Sequence, residues 1–274
     1  MRDLKLGISP CPNDTFVFHD AVHHDDGTRP DFDLQFADIA ELNQHALDGT
    51  HDVVKISAAL YPDVAPTYAL LRAGGALGHG VGPLLVANRE RVDLEGARVA
   101  IPGETTTAAL LFRAFSEGRA TPVPVRYDRI MSAVAGGEFD AGVIIHESRF
   151  TYQDHGLSLV TDLGTWWEQR HGLAIPLGVV AAKRSLGTQV HAALNASVRA
   201  SVQAAQHSPA ASEAWVAAHA QELSPEVRQQ HIDLYVNAFS EDVGASGEAA
   251  LKALWRYGRP EATSWQDLPV FLTP

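Results

Sequence analysis

The feature that most constrains this chain is an alternation. Short apolar runs rich in Val, Ile and Leu, bounded by turn residues, are separated by stretches of helical periodicity. The runs at 4–9, 34–37, 53–57, 84–87, 98–102, 124–127, 141–146, 157–161 and 177–182 predict strands, and 15–23, 39–48, 107–116 and 130–136 predict helices. That pattern belongs to an α/β protein. From residue 185 the texture becomes Ala-rich and helical, with Ser208-Pro209 and Ser224-Pro225 ahead of new helices, because proline is preorganised for a first helical turn. With 274 residues, 46% of them hydrophobic, the chain can form one large domain or two small ones.

In an open α/β sheet, ligands bind beyond the carboxyl ends of the strands, where loops begin. Four such ends carry polar chemistry here. The first strand runs into Ser9-Pro10-Cys11-Pro12-Asn13-Asp14-Thr15, and the third ends in Lys55-Ile56-Ser57. The strand at 98–102 passes through Gly103-Glu104-Thr105-Thr106-Thr107 into a helix opened by Ala108, whose first-turn amides and threonine hydroxyls suit a carboxylate or other oxyanion. The fourth, in GEFDAGVIIHESRF, stops at His146. Each junction alone reads first as helix capping; the four together are harder to explain that way. A histidine with an ordinary pKa of about 6.5 can act as a base at neutral pH. A polar residue that merely ends a strand is the competing reading for His146.

Other features carry less. The glycine run GGALGHGVG leads into Pro83 and a strand instead of a helix, so it reads as a turn and not as a nucleotide loop. His19 and His23 have the i,i+4 spacing of a metal pair beside His24, Asp25 and Asp26, but read better as a helix end. His207, His219 and His231 fall in the helical C-terminal part and read as solvent-facing. Cys11 reads as a small buried residue between prolines, and one of Trp166 and Trp167, taken as strand neighbours, should face away from the core. A formal net charge of -12 disfavours nucleic acid and anionic membrane surfaces as partners. Neither a basic-then-apolar leader nor a run of roughly eighteen apolar residues is present, so a cytoplasmic chain is expected. A single cysteine excludes an intramolecular disulfide and a multi-cysteine zinc site.

Several segments carry a resemblance: GISPCPNDTF at 7–16, the glycine run ending at Pro83, RYDRI at 126–130, IIHESRFTY at 144–152, WWE at 166–168 and YVNAFS at 235–240. In that order, the sequence resembles the 1,4-dihydroxy-6-naphthoate synthase family of the futalosine route to menaquinone, over nearly the whole chain.

The resemblance implies an α/β fold similar to type II periplasmic binding proteins, with two α/β lobes and a central cleft. Lobe one would comprise 1–87 and, on its largely helical return, 179–274; lobe two would be 88–178. It implies a carbon-carbon lyase acting on a small-molecule carboxylate, cyclic dehypoxanthine futalosine. His146 would be the general base, with Lys55, Ile56, Ser57, Thr107 and Ala108 lining the substrate site; Ser9 and Thr106 join them from the strand-end reading. Proton removal would trigger loss of the ribose-derived fragment as the bicyclic system becomes aromatic. Electrons are then redistributed within the substrate, so neither a cofactor nor a metal is expected. Two alternatives share the fold: a chorismate-dehydratase-like sister enzyme, which would lack the His-Glu-Ser-Arg strand end, and a non-catalytic solute-binding protein. The sequence selects no oligomeric state, and leaves open which of Arg72, Arg126, Arg129 and Arg149 meets a substrate carboxylate.

Overall fold

The computed structural model describes residues 3–24, 27, 29–221 and 224–272; Asp25 and Asp26 lie outside them. The chain divides into two units, residues 1–77 with 176–274, and residues 78–175. The first opens with β1 (Leu4–Ile8), α1 (Pro12–His23), β2 (Phe32–Phe36), α2 (Ile39–Leu47), β3 (Val53–Ser57), α3 (Tyr61–Val64), β4 (Tyr68–Leu70) and β5 (Ala76–Gly78). The second holds β6 (Leu84–Ala87), β7 (Arg98–Ile101), α4 (Thr107–Ser116), β8 (Thr121–Pro124), α5 (Tyr127–Ala135), β9 (Ala141–Ile144), α6 (Ser148–Thr151), β10 (Ser158–Asp162) and α7 (Leu163–His171). The return consists of β11 (Ile175–Lys183), α8 (Gly187–His207), α9 (Ala210–His219), α10 (Pro225–Tyr235), α11 (Ala238–Glu241) and α12 (Gly244–Gly258).

The first unit's sheet has the order β2-β1-β3-β11-β4, with β5 also on β11. β1 runs parallel to β2 and β3, while β11 is antiparallel to β3 and β4. Every residue of β3 is buried, whereas β2 at the edge alternates in exposure. A central strand covered on both faces is largely apolar and admits polar side chains only where they find partners, as Lys55 and Ser57 do in β3, whereas an edge strand can keep one wet face. Leu6, Ile8, Val17, Phe18, Val53, Val180, Leu194, Val198 and Val202 form the core between this sheet, α1 and α8; each large side chain buried this way contributes about 1.5–3 kcal/mol. The second sheet has the order β10-β6-β9-β7-β8. Its core brings Leu84, Val86, Ala100, Ile130, Val134, Ile144 and Leu157 together. Among the described residues, no helix is long and apolar enough to cross a membrane.

Several sequence expectations shift. The units exchange after Leu77 and after Ile175, earlier than the boundaries at Ala87 and Val179, because β6 is hydrogen-bonded between β10 and β9 and is a central strand of the second unit. The strand expected at 124–127 is Thr121–Pro124, an edge strand, where prolines are tolerated because an edge needs fewer ladder donors. The strand expected at 141–146 ends at Ile144. Trp166 and Trp167 lie on helix α7, not on a strand. Trp167 is fully buried and stacks on His171 at 3.9 Å, while Trp166 is half-buried with its edge to Phe115. The glycine run includes a close approach, since a Cβ on Gly82 would sit 2.2 Å from the Cα of Gly164.

Two buried histidines, His51 and His191, tie stability to pH. His51 is 1% exposed and His191 is fully buried. Burial is the largest cause pushing both below the usual histidine range, reinforced at His51 by the nearby His45, Lys5 and Lys183 and partly offset at His191 by its bond to the Lys183 carbonyl. The unfolded chain takes up these protons near pH ~6.5, while the folded protein resists them. The associated stability is therefore complete above that pH and erodes as pH falls through it toward the lower folded values. The thermal midpoint should drop between pH 7.5 and 5.5, and His191→Gln should reduce the size of the drop. An equal drop in that variant would contradict the assignment.

Candidate functional site

In the first unit the loop from β1 into α1 is set by its prolines. Pro12 occupies the first helical turn and Cys11 before it is extended (φ -63°, ψ 147°), the conformation favoured by a residue preceding a proline. Asp14 falls in the first turn, where the helix dipole favours its charge. Its carboxylate is closely engaged. Oδ2 accepts from Ser9 Oγ at 2.7 Å, and Oδ1 accepts from Asn13 Nδ2 at 2.9 Å and from Lys55 Nζ at 2.7 Å. Lys55 also donates to the Gly74 carbonyl at 2.8 Å. The Lys55 and Asp14 side chains are each 4% exposed, so the pair is a buried ion pair. Gly178 on the neighbouring β11 leaves room for it, since a Cβ there would lie 3.0 Å from Lys55 Cε.

Ser57 ends β3 with a reciprocal clasp: its backbone amide donates to Asn43 Oδ1 at 2.9 Å, and Asn43 Nδ2 donates to its hydroxyl at 3.0 Å. The two serines are thereby given opposite polarity. Ser9 gives its only proton to Asp14 and can accept from a ligand; Ser57 accepts from Asn43 and keeps its proton to donate. Ser9 and Ser57 lie at the carboxyl ends of adjacent parallel strands, where ligands bind in such sheets. Ile56, between Lys55 and Ser57 on β3, is fully buried and alternates to the other face, so what it offers a ligand is backbone.

In the second unit, β7 and β9 are adjacent and parallel, and the loops following both leave the same edge of the sheet. After β7, Thr106 caps α4: its hydroxyl donates to the Gly103 carbonyl at 2.8 Å and accepts from the Ala109 amide at 3.1 Å. The only Thr106 proton is thus committed to the loop, and the capping reading holds for this residue. Thr107 and Ala108, both buried, form the first turn of α4. Thr106→Val should cost about 1 kcal/mol of stability by removing the cap, while Thr106→Ser keeps it; equal unfolding midpoints for valine and serine would contradict this.

After β9 the chain turns, and His146 takes the left-handed conformation at φ 56°, uncommon outside glycine although asparagine, aspartate and histidine enter it more often than other residues do. Glu117, the other such residue among those described, ends helix α4. His146 ends no helix. Its carbonyl accepts from the Arg149 amide at 3.3 Å, and its half-buried ring meets Tyr127 edge-on with centroids 5.3 Å apart. Glu147 lies in the same turn, 9% exposed, instead of pointing away along a strand.

Three of the four candidate arginines have carboxylate partners: Arg149 with Asp162 (2.8 Å), Arg72 with Asp242 (3.0 Å) and Arg126 with Asp128 (2.7 Å). His19 and His23 pack against Trp215, with His23 Nδ1 donating to the His19 carbonyl at 2.8 Å. Among the described residues, no group of three or more His, Cys, Asp or Glu is placed to hold a metal ion. Cys11 is buried, 5% exposed.

Sequence reasoning missed Asp14, Asn13, Asn43 and His231 as parts of the site. Asn13 and Asp14 stood in a quoted motif, but nothing in a linear sequence links them to Lys55. His231 is the clearest correction. It was read as solvent-facing, yet it is fully buried, and its Nε2 lies 2.8 Å from Asn13 Oδ1. Its i,i+4 relation to Tyr235, whose ring packs against it at a tilt with centroids 4.6 Å apart, was the available signal.

Comparison with known proteins agrees with this architecture. The profile of the family described as Menaquinone biosynthesis matches residues 4–260. A Thermus thermophilus protein named 1,4-dihydroxy-6-naphthoate synthase is 50% identical over 255 residues, 93% of each chain. A Streptomyces coelicolor protein of the same name is 47% identical over 256 residues, 92% of this chain and 91% of its own. A crystal structure from Archaeoglobus fulgidus superposes with a TM-score of 0.89 at 33% identity, covering 94% of this chain and 97% of that one. The alkanesulfonate-binding protein SsuA of Xanthomonas axonopodis pv. citri superposes with a TM-score of 0.69 at 15% identity, covering 100% and 96%, which shows a periplasmic-binding-protein fold. The chain belongs to the 1,4-dihydroxy-6-naphthoate synthase family of menaquinone biosynthesis.

Proposed function

We propose that the protein is a carbon-carbon lyase that converts cyclic dehypoxanthine futalosine to 1,4-dihydroxy-6-naphthoate on the futalosine route, with His146 as general base. The observation that carries the role of His146 is its backbone. A bulky residue held at φ 56° at a strand end costs about 1–3 kcal/mol, and such outliers cluster where function needs a side chain aimed. The family relationship over nearly the whole chain supports the product.

Each group then has a task. The first-turn amides of Thr107 and Ala108 take the substrate carboxylate, helped by the helix dipole, and Thr106 holds that turn in place. Ser9 accepts and Ser57 donates to substrate hydroxyl and carbonyl groups, while the Lys55 ammonium holds a substrate oxygen by charge-assisted hydrogen bonding. Neutral His146 takes a proton from carbon. The electron pair released breaks the carbon-carbon bond to the ribose-derived fragment as the ring becomes aromatic; that fragment leaves with the bonding pair and takes up a proton, directly or through water, from the His146 imidazolium, which restores the base. All electrons remain within the substrate and its two products.

A crystal structure with 1,4-dihydroxy-6-naphthoate bound tests this reading. The product ring should lie within hydrogen-bond reach of His146, with its carboxylate on the Thr107 and Ala108 amides. A product molecule seated away from His146 would overturn the assignment. The fold of SsuA favours a second reading, a binding protein without chemistry, which predicts tight binding of the substrate and its recovery unchanged.

A further inference from the structure

The site's hydrogen-bond polarity is fixed by a residue far away in sequence. Asn13 lies between Asp14 and His231. A carboxylate only accepts, so the Asn13 amide group must face Asp14 and its carbonyl oxygen must face His231; the His231 nitrogen at 2.8 Å must then carry the proton. With Asn13 so oriented, Asp14 Oδ1 receives both Asn13 and Lys55, and Oδ2 receives Ser9. Each element of this chain is buried, with His231 fully so, and a buried network constrains its members strongly because a wrong orientation leaves polar groups unpaired. Loss of the His231 donor would let the Asn13 amide rotate and withdraw its N–H from Asp14.

We propose that His231, on helix α10, is a positioning residue: through Asn13 and Asp14 it holds the Ser9 hydroxyl as an acceptor and the Lys55 ammonium in place for substrate. The inference rests on the reading of Ser9 and Lys55 as substrate-binding groups. His231 touches no substrate itself. Its effect should therefore appear in binding shared by ground and transition states, raising KM with little change in kcat.

The test compares His231→Leu, which removes the donor, with His231→Gln, whose amide N–H can reach Asn13 in place of Nε2. His231→Leu should raise KM for cyclic dehypoxanthine futalosine about tenfold, the scale of one buried hydrogen bond, with kcat within about threefold. His231→Gln should restore KM to within about threefold. Both variants losing thermal stability while KM stays at the parent value would show a purely structural role and overturn the proposal. Should His231→Leu fail to fold, nitrogen-15 spectra of histidine-labelled parent protein decide: His231 should carry its proton on Nε2, and an Nδ1-protonated tautomer would overturn the proposal. A parent protein without turnover instead rejects the functional reading on which this one depends, so the two failures are distinct.

Discussion

His146→Asn should lower kcat by about two to four powers of ten, the contribution expected of a positioned base, while the protein should fold as before. Asparagine is the informative substitution, since it is among the few residues that adopt the left-handed conformation readily and so retains the turn in which His146 sits at φ 56°. A strand-end residue that is only half-buried carries little of the core. The pH-rate profile of the parent should fall on the acid side, because a protonated imidazole cannot accept a proton, and that limb should be missing from the residual activity of His146→Asn. A variant that kept both its fold and most of its turnover would require the base to be sought elsewhere.

Asp14→Ala destabilises the protein by about 3–5 kcal/mol, because it leaves the Lys55 charge buried without its counter-ion. The partners are 2.7 Å apart and 4% exposed, conditions in which solvent screens little. Removing both charges is a different matter. Asp14→Leu combined with Lys55→Met should recover much of the loss, since an ion pair replaced by apolar groups of similar volume is often neutral, yet the double variant should not bind substrate. Urea unfolding of the two variants checks the contrast. A single variant losing less than about 1 kcal/mol would place this pair with the weak, exposed kind.

Much of the fold was legible in the sequence because burial leaves a direct imprint. The wholly buried β9 reads as AGVI, an apolar run of the kind a central strand favours, and β3 as VVKIS, mostly apolar with two polar interruptions. The three-residue strands β4 and β5 left too little periodicity to register. The boundary between units was misplaced because β6 reads as a strand whichever sheet it joins, and only its pairing with β9 and β10 assigns it. At the site, strand-end positions such as Ser9, Ser57 and Thr106 were visible because polar residues interrupt an apolar run there. Their roles were less visible. That Thr106 spends its hydroxyl on a cap is a matter of local geometry, and the contact of His231 with Asn13 spans 218 positions, a separation over which a single sequence carries no pairing signal.

The most direct test is turnover. Purified protein, incubated with cyclic dehypoxanthine futalosine and no added cofactor or metal, should release 1,4-dihydroxy-6-naphthoate over many turnovers per protein molecule, followed by chromatography of the reaction mixture. Substrate that is bound to saturation and recovered unchanged would contradict the account.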